Sequence, residues 1–180
     1  MKQVILARRY AKAIFNLGQE KRKYKVYGEV LLSFAELYEK QPEVRDALVN
    51  PLYPLEVRKK IMEKLVESFG VDRFMGNFLK LLVEKKRAAI LPEIAEGYQQ
   101  MLDDSQNISH GTLVTATELT KPLLDRIRRT LEQLTGRKVV LTTSVDPSII
   151  GGMIATVGDL ELDGSIRTQL AGLKDSIKGR

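Results

Sequence analysis

Apolar residues recur at helical spacing through the first hundred positions. Ala7, Tyr10, Ala11, Ile14 and Gly18 fall on one helix face, and Tyr27, Val30, Leu31, Phe34, Leu37 and Tyr38 form a second stripe. Gln41-Pro42 ends that stripe, because the residue before proline avoids helical backbone angles. A short helix around Val44 and Leu48 reaches Asn50-Pro51. Pro54 suits the first turn of the next helix, which shows Ile61, Met62, Leu65, Val66 and Phe69 and stops at Gly70. A fifth helix carries Phe74, Phe78, Leu81 and Leu82, with Lys85-Lys86-Arg87 at its negative end. A sixth opens at Leu91-Pro92 and shows Ile94, Tyr98, Met101 and Leu102. Six short helices with brief connections predict a compact bundle.

The pattern changes after Asp103-Asp104-Ser105-Gln106-Asn107. Thr112 to Thr117 is β-branched and strand-like, and Val139 to Thr143 is a second strand. Lys121 to Thr135 is helical between them, with Leu124, Ile127, Leu131 and Leu134 inward and Gly136 as its stop. Met153–Val157 and Leu160–Leu162 flank Gly158-Asp159, a two-residue hairpin signal. A last helix runs from about Ile166 to Lys178, with Ser165 as its N-cap. The fold class is therefore α plus α+β: a six-helix bundle over residues 1–106, then a small α+β domain with a β-hairpin over 107–180. The Asp103–His110 stretch reads as a flexible connection between them.

Composition narrows the function. The chain has no cysteine, which removes thiol catalysis, disulfides and thiolate metal sites. Its one histidine, His110, sits in Ser109-His110-Gly111, which reads as a polar connection and not as the centre of a triad or zinc site. No apolar run approaches the roughly 20 residues of a membrane helix. The N-terminus has too short an apolar run for a secretory signal and is not a Ser-rich transit peptide. The chain is expected to be cytosolic, or peripheral to a membrane through partners.

No catalytic motif survives inspection. Gly136-Arg137-Lys138 lacks the glycine and Ser/Thr spacing of a phosphate loop, and Gly151-Gly152 lacks the rest of a dinucleotide fingerprint. Asp146, Asp159 and Asp163 are open to two readings: a Mg²⁺ cluster, or turn residues bonding their own backbone. The turn reading is preferred, so no catalytic residue, cofactor or metal site is assigned.

Net charge is +6, with 19 basic and 15 acidic residues in 1–106 and 10 and 8 in 107–180, so the excess is spread along the chain. Lys21-Arg22-Lys23, Lys85-Lys86-Arg87 and Arg126 with Arg128-Arg129 read either as solvated helix ends or as a nucleic-acid surface. The nucleic-acid reading wants aromatic platforms among the basic residues, and the aromatics lie mostly on the apolar stripes. The first helix is also open to two readings. Tyr10 with Ala7, Ala11 and Ala13 suits ordinary bundle packing, or a groove left for a foreign amphipathic helix.

The stretch from Val145 to Leu170, with Asp146-Pro147, Gly151-Gly152, Gly158-Asp159 and Asp163-Gly164-Ser165, closely resembles the C-terminal signature of the F-type ATP synthase delta subunit family. The mitochondrial counterpart is the oligomycin-sensitivity-conferring protein. Ala7 to Phe15 resembles the family's opening helix, and Lys85 to Pro92 resembles its segment before the sixth helix. The family more often has glycine where Lys86 stands and leucine where Ala88 stands. The resemblance spans nearly the whole chain.

It implies a non-catalytic stator subunit that holds the catalytic head against rotor torque. On that reading the helical domain binds the N-terminal helix of an alpha subunit, and the C-terminal domain holds the b-type subunits of the peripheral stalk. The implied alpha-binding groove lies between the first and fifth helices, with Tyr10, Ala13 and Ile14 facing Phe78, Leu81 and Leu82. The implied location is the cytoplasmic face of a bacterial cell membrane, reached through the complex. The alternative, a basic helical nucleic-acid-binding protein, predicts affinity that falls steeply with salt.

Overall fold

The computed structural model describes residues 2–170 and separates the chain into two compact units, Met1–Leu102 and Asp103–Arg180. The first unit is helical: α1 (Lys2–Glu20), α2 (Tyr24–Lys40), α3 (Pro42–Val49), α4 (Leu55–Ser68), α5 (Arg73–Glu84) and α6, which starts at Leu91 after a 3-10 turn at Ala88–Ile90 and runs to Ser105. Each element buries one stripe. Ala7, Ala11 and Ile14 of α1 join Leu31 and Phe34 of α2, Met62 of α4, Met75, Leu79 and Leu82 of α5 and Ile94 and Tyr98 of α6 in one core. Tyr98 packs edge-on against Phe15 at 5.4 Å, and its hydroxyl donates to the Tyr24 carbonyl at 2.7 Å. The buried ring thus keeps its polar tip satisfied. Pro54 is the N-cap of α4, one residue before the first turn where the sequence reading put it.

The ends of α1, α4 and α5 are closed by left-handed residues. After α5, Arg87 N–H donates to Leu82 C=O at 2.7 Å and Lys86 N–H to Val83 C=O at 3.0 Å, which is a Schellman closure with Lys86 in the left-handed region at φ 56°. The same pair of bonds closes α1 around Arg22 and α4 around Gly70. Lys86 is the position where the family resemblance expects glycine, and its backbone explains that preference.

The second unit is a four-stranded sheet with α7 (Lys121–Thr135) on one face. The strands are β1 (Ile108–Thr115), β2 (Lys138–Val145), β3 (Met153–Val157) and β4 (Leu160–Asp163), in the order β2-β1-β3-β4. β1 and β2 are parallel, joined by the α7 crossover, and Leu113 sits opposite Thr143. β1 and β3 are antiparallel, with Leu113 opposite Ala155, and β3–β4 is the hairpin turned at Gly158-Asp159. Leu113, Val139, Ala155 and Val157 pack under Leu124, Ile127 and Leu131 of α7. Gly136, at φ 68°, stops α7.

Three sequence expectations are corrected here. His110 is not in a connection but inside β1, and Gly111 beside it is a strand residue. A Cβ at Gly111 would stand 2.6 Å from Val157 Cγ2 and 2.8 Å from Thr156 O, so glycine there permits close pairing with β3. The Asp103–His110 stretch is mostly regular structure. Asp103–Ser105 finish α6 and Ile108–His110 begin β1, while Asp104 pairs with Arg137 at 2.9 Å and Asp103 with His110 at 3.1 Å. Leu134 is 61% exposed, because it drifts to the edge of its stripe in the last turn of α7.

The C-terminal signature forms a turn system. Asp146 Oδ1 accepts from Ser148 N–H at 2.9 Å and starts the 3-10 turn Pro147–Ile149. Gly152 has φ 82°, and a Cβ there would collide with the Gly164 carbonyl oxygen. Ser165 Oγ accepts from Thr168 N–H at 3.2 Å, which caps the helical turn at residues 166–170. The rest of the expected last helix, from Ala171, lies outside the described residues.

Candidate functional site

α1 and α5 each carry a second stripe that overlaps the one given to the core at Ile14 and Phe78. On α1 it is Tyr10, Ala13, Ile14 and Leu17; on α5 it is Phe74, Asn77, Phe78 and Leu81. Both follow i, i+3, i+4, i+7 spacing and so line one helix face over about two turns. Between them lies an open groove of about 410 Å³, lined by Ala13, Ile14, Leu17, Phe74, Asn77, Phe78 and Leu81. The Tyr10 ring meets the Phe78 ring edge-on at 6.3 Å. Further along, Lys21 Nζ stands 5.1 Å from the centre of the Phe74 ring. The two helices therefore run antiparallel along the groove.

The floor and the walls differ in exposure. Ile14 and Phe78 are buried, while Phe74 is 45% and Leu81 39% exposed. A half-exposed phenylalanine and leucine two turns apart on one helix face have apolar surface to offer a partner. Among the six residues expected at this site, Ala13, Ile14, Phe78 and Leu81 come together on the groove, and Tyr10 packs against Phe78. Leu82 does not reach it. It is 0% exposed and points into the core with Met75, Leu79 and Val83. Sequence reasoning missed Leu17, Phe74 and Asn77; the i, i+3, i+4, i+7 repeat within each helix was the signal that holds them.

One carboxylate fixes the N-terminal end of α5. Asp72 caps the helix, accepting from Met75 N–H at 3.0 Å, and its other oxygen accepts from Tyr27 Oη and Lys23 Nζ, each at 2.9 Å. Partial burial of Asp72 works to raise its pKa, but the bonds from Met75, Lys23 and Tyr27 outweigh it and hold the carboxyl below the usual range. Tyr27 is pushed up to about 12, by burial first and then by its bond to the Asp72 carboxylate. This node ties α5 to α2 and to the 21–23 turn, and so fixes one end of the groove.

Three members of the basic clusters have local partners. Lys21 pairs with Glu20 and covers Phe74, Lys23 holds Asp72, and Arg128 pairs with Asp125. Asp163 accepts from Ser165 N–H at 2.8 Å and Thr168 Oγ1 at 2.7 Å, so its carboxylate organises the last turn system. Among the described residues, no group of three or more His, Asp or Glu side chains is placed to hold a metal ion. Among them too, no helix is long and apolar enough to cross a membrane.

A family model described as ATP synthase delta (OSCP) subunit matches residues 6–177. The chain belongs to the ATP synthase delta (OSCP) subunit family. It is 63% identical over 180 residues to the ATP synthase subunit delta of Desulfotalea psychrophila, covering 100% of this chain and 99% of that one. It is 40% identical to the corresponding subunit of Syntrophobacter fumaroxidans, over 99% of this chain and 97% of that one. A chain in the cryo-EM structure of the Toxoplasma gondii mitochondrial ATP synthase hexamer superposes with a TM-score of 0.65 at 24% identity, covering 96% of this chain and 97% of that one, which supports the fold. As a member of the family, this chain is a non-catalytic component of the peripheral stalk of a membrane-associated ATP synthase. The comparisons give no support to the nucleic-acid alternative.

Proposed function

We propose that this delta-family chain couples head to stalk by docking the N-terminal helix of an alpha subunit in the α1–α5 groove. The observation that carries this is the apolar groove itself, two facing i, i+3, i+4, i+7 stripes with Phe74 and Leu81 half exposed. An amphipathic helix laid along it would cover those side chains and hold by apolar burial. A stator contact needs slow dissociation under load, and burial of this kind is less sensitive to salt than exposed ion pairs. In the same proposal the second unit takes the b-type stalk subunits, supported by exposed Val140, Val145 and Ile150 on that unit. The assembled location is the cytoplasmic face of a bacterial membrane, in keeping with the bacterial relatives.

The test is calorimetric titration of the full chain with a synthetic peptide of the alpha subunit's first 25 or so residues, at low and high salt. One-to-one binding that persists at high salt is the expected result. A folded chain that fails to bind at either salt would refute the groove assignment.

A further inference from the structure

Asn77 is the one polar residue among the seven that line the groove. It stands mid-stripe on α5, between Phe74 and Leu81, and is exposed. It caps no helix end, and among the described residues its side chain takes part in no hydrogen bond. Asparagine is also a poorer helix former than leucine, by about half a kcal/mol. The fold therefore gains nothing from an amide at this position.

Resting on the groove reading above, we infer that Asn77 fixes the register of the docked helix by demanding a hydrogen-bonding side chain opposite it. An amphipathic helix with a purely apolar stripe presents nearly the same face again after each slide of three or four residues. A groove that is apolar throughout accepts several such registers. A single amide breaks that degeneracy, because docking strips its water and an apolar residue opposite leaves it unsatisfied. One buried asparagine in a coiled-coil seam sets register by the same physics. The occupant is thus an amphipathic helix with an apolar stripe, one amide or hydroxyl within it, and acidic residues toward its ends. Acidic ends follow from Lys21, four positions beyond Leu17 and 5.1 Å from the Phe74 ring, and Lys85, four positions beyond Leu81, which stand past the two ends of the groove. Discrimination between registers then resides in one side chain, while the surrounding apolar surface supplies affinity.

Three model helices of about 20 residues test this by fluorescence anisotropy on the full chain. All carry a Leu stripe with Glu-rich ends. The first has one Gln at the stripe centre, the second has that Gln moved two positions onto the opposite, polar face with Leu restored in the stripe, and the third has Leu throughout. The wild-type chain is expected to prefer the first by about tenfold over the other two, the size expected when a buried amide goes unpaired. Asn77→Leu should abolish that preference and bind the all-Leu peptide at least as tightly as the first. Asn77→Gln should restore part of the preference. Circular dichroism melting verifies that both variants are folded. Equal binding of all three peptides by wild type, or unchanged preference in Asn77→Leu, overturns the role of Asn77 and leaves the groove standing. No binding of any peptide by wild type overturns both.

Discussion

Leu81 and Leu82 are neighbours in sequence with opposite roles in the structure, and exchanging them separately tests the groove. Leu81 is 39% exposed on the groove wall and Leu82 is 0% exposed in the core. Full burial of a leucine side chain is worth about 1.5–3 kcal/mol, so the exposed share of Leu81 holds about 1 kcal/mol for a partner. Leu81→Asp forfeits that and places a carboxylate in an apolar contact, with Lys85 one turn on as partial compensation. The combined loss is about 3 kcal/mol, or roughly a hundredfold in Kd for the alpha-subunit peptide. The free chain should lose only about 1 kcal/mol, from helix propensity and a negative charge near the C-terminal end of α5. Leu82→Ala should do the reverse. It removes core packing and lowers stability by about 2–5 kcal/mol. The Kd of the folded fraction should then change by less than about threefold, since Leu82 offers nothing to a partner.

Calorimetry with the peptide and urea denaturation on the same three proteins separate the two effects. A folded Leu81→Asp chain with wild-type Kd would show that the groove is not the docking site. A Leu82→Ala chain that keeps its stability but loses binding would show that α5 presents a different face on binding.

Three further outcomes follow from the local chemistry. Asp72→Asn keeps an N-cap but loses the charge on its bonds to Tyr27 and Lys23, and should destabilise the chain by about 1 kcal/mol at pH 7. Because the Asp72 pKa is lowered in the fold, its contribution is present above the unfolded value of about 4 and is lost as pH falls through the folded value. Urea midpoints for wild type and variant should therefore converge as pH falls below the usual carboxylate range, and a gap that stays constant with pH would contradict this. Lys86→Gly relieves a left-handed lysine at φ 56°, and should leave stability unchanged or raise it by up to about 1 kcal/mol, read as a small rise in Tm. Gly152→Ala adds a Cβ that collides with the Gly164 carbonyl oxygen at a φ of 82°, and should unfold the hairpin end of the second unit by several kcal/mol, about 2 or more, seen as lost amide protection in β3 and β4.

The helices were legible because each buries one continuous stripe, and the stripe is local information. The hairpin was legible because Gly158-Asp159 and its flanking strands are also local. The sheet order was not. That β1 lies between β2 and β3 depends on pairing across more than twenty residues, and a glycine that permits close strand approach reads in sequence as a turn. Gly111 misled for that reason and took His110 with it. The family resemblance pointed to the first and fifth helices, whose residues line the groove described above, but listing apolar residues could not distinguish 81 from 82. Adjacent residues on a helix point about 100° apart, and which of them faces inward depends on where α5 sits against α4 and α6. Phe74 was visible as an apolar residue, yet only the structure shows that the core leaves it uncovered.

The groove is held in shape before any partner arrives. Asp72 binds α5, α2 and the 21–23 turn through three hydrogen bonds, Tyr10 and Phe78 meet edge-on, and Ile14 and Phe78 are already buried in the free chain. On the proposed docking, a partner helix would order little of this surface, and its apolar burial would go into holding on. A preformed apolar seat gives slow release without a large contact area, which is the property that a part under steady torque requires. The position of Asp72 makes that mechanical role testable in the same proteins. If the seat is preformed, Asp72→Asn should weaken peptide binding more than twofold although residue 72 lies outside the groove lining. If binding itself shapes the seat, the variant should lose stability and keep its affinity.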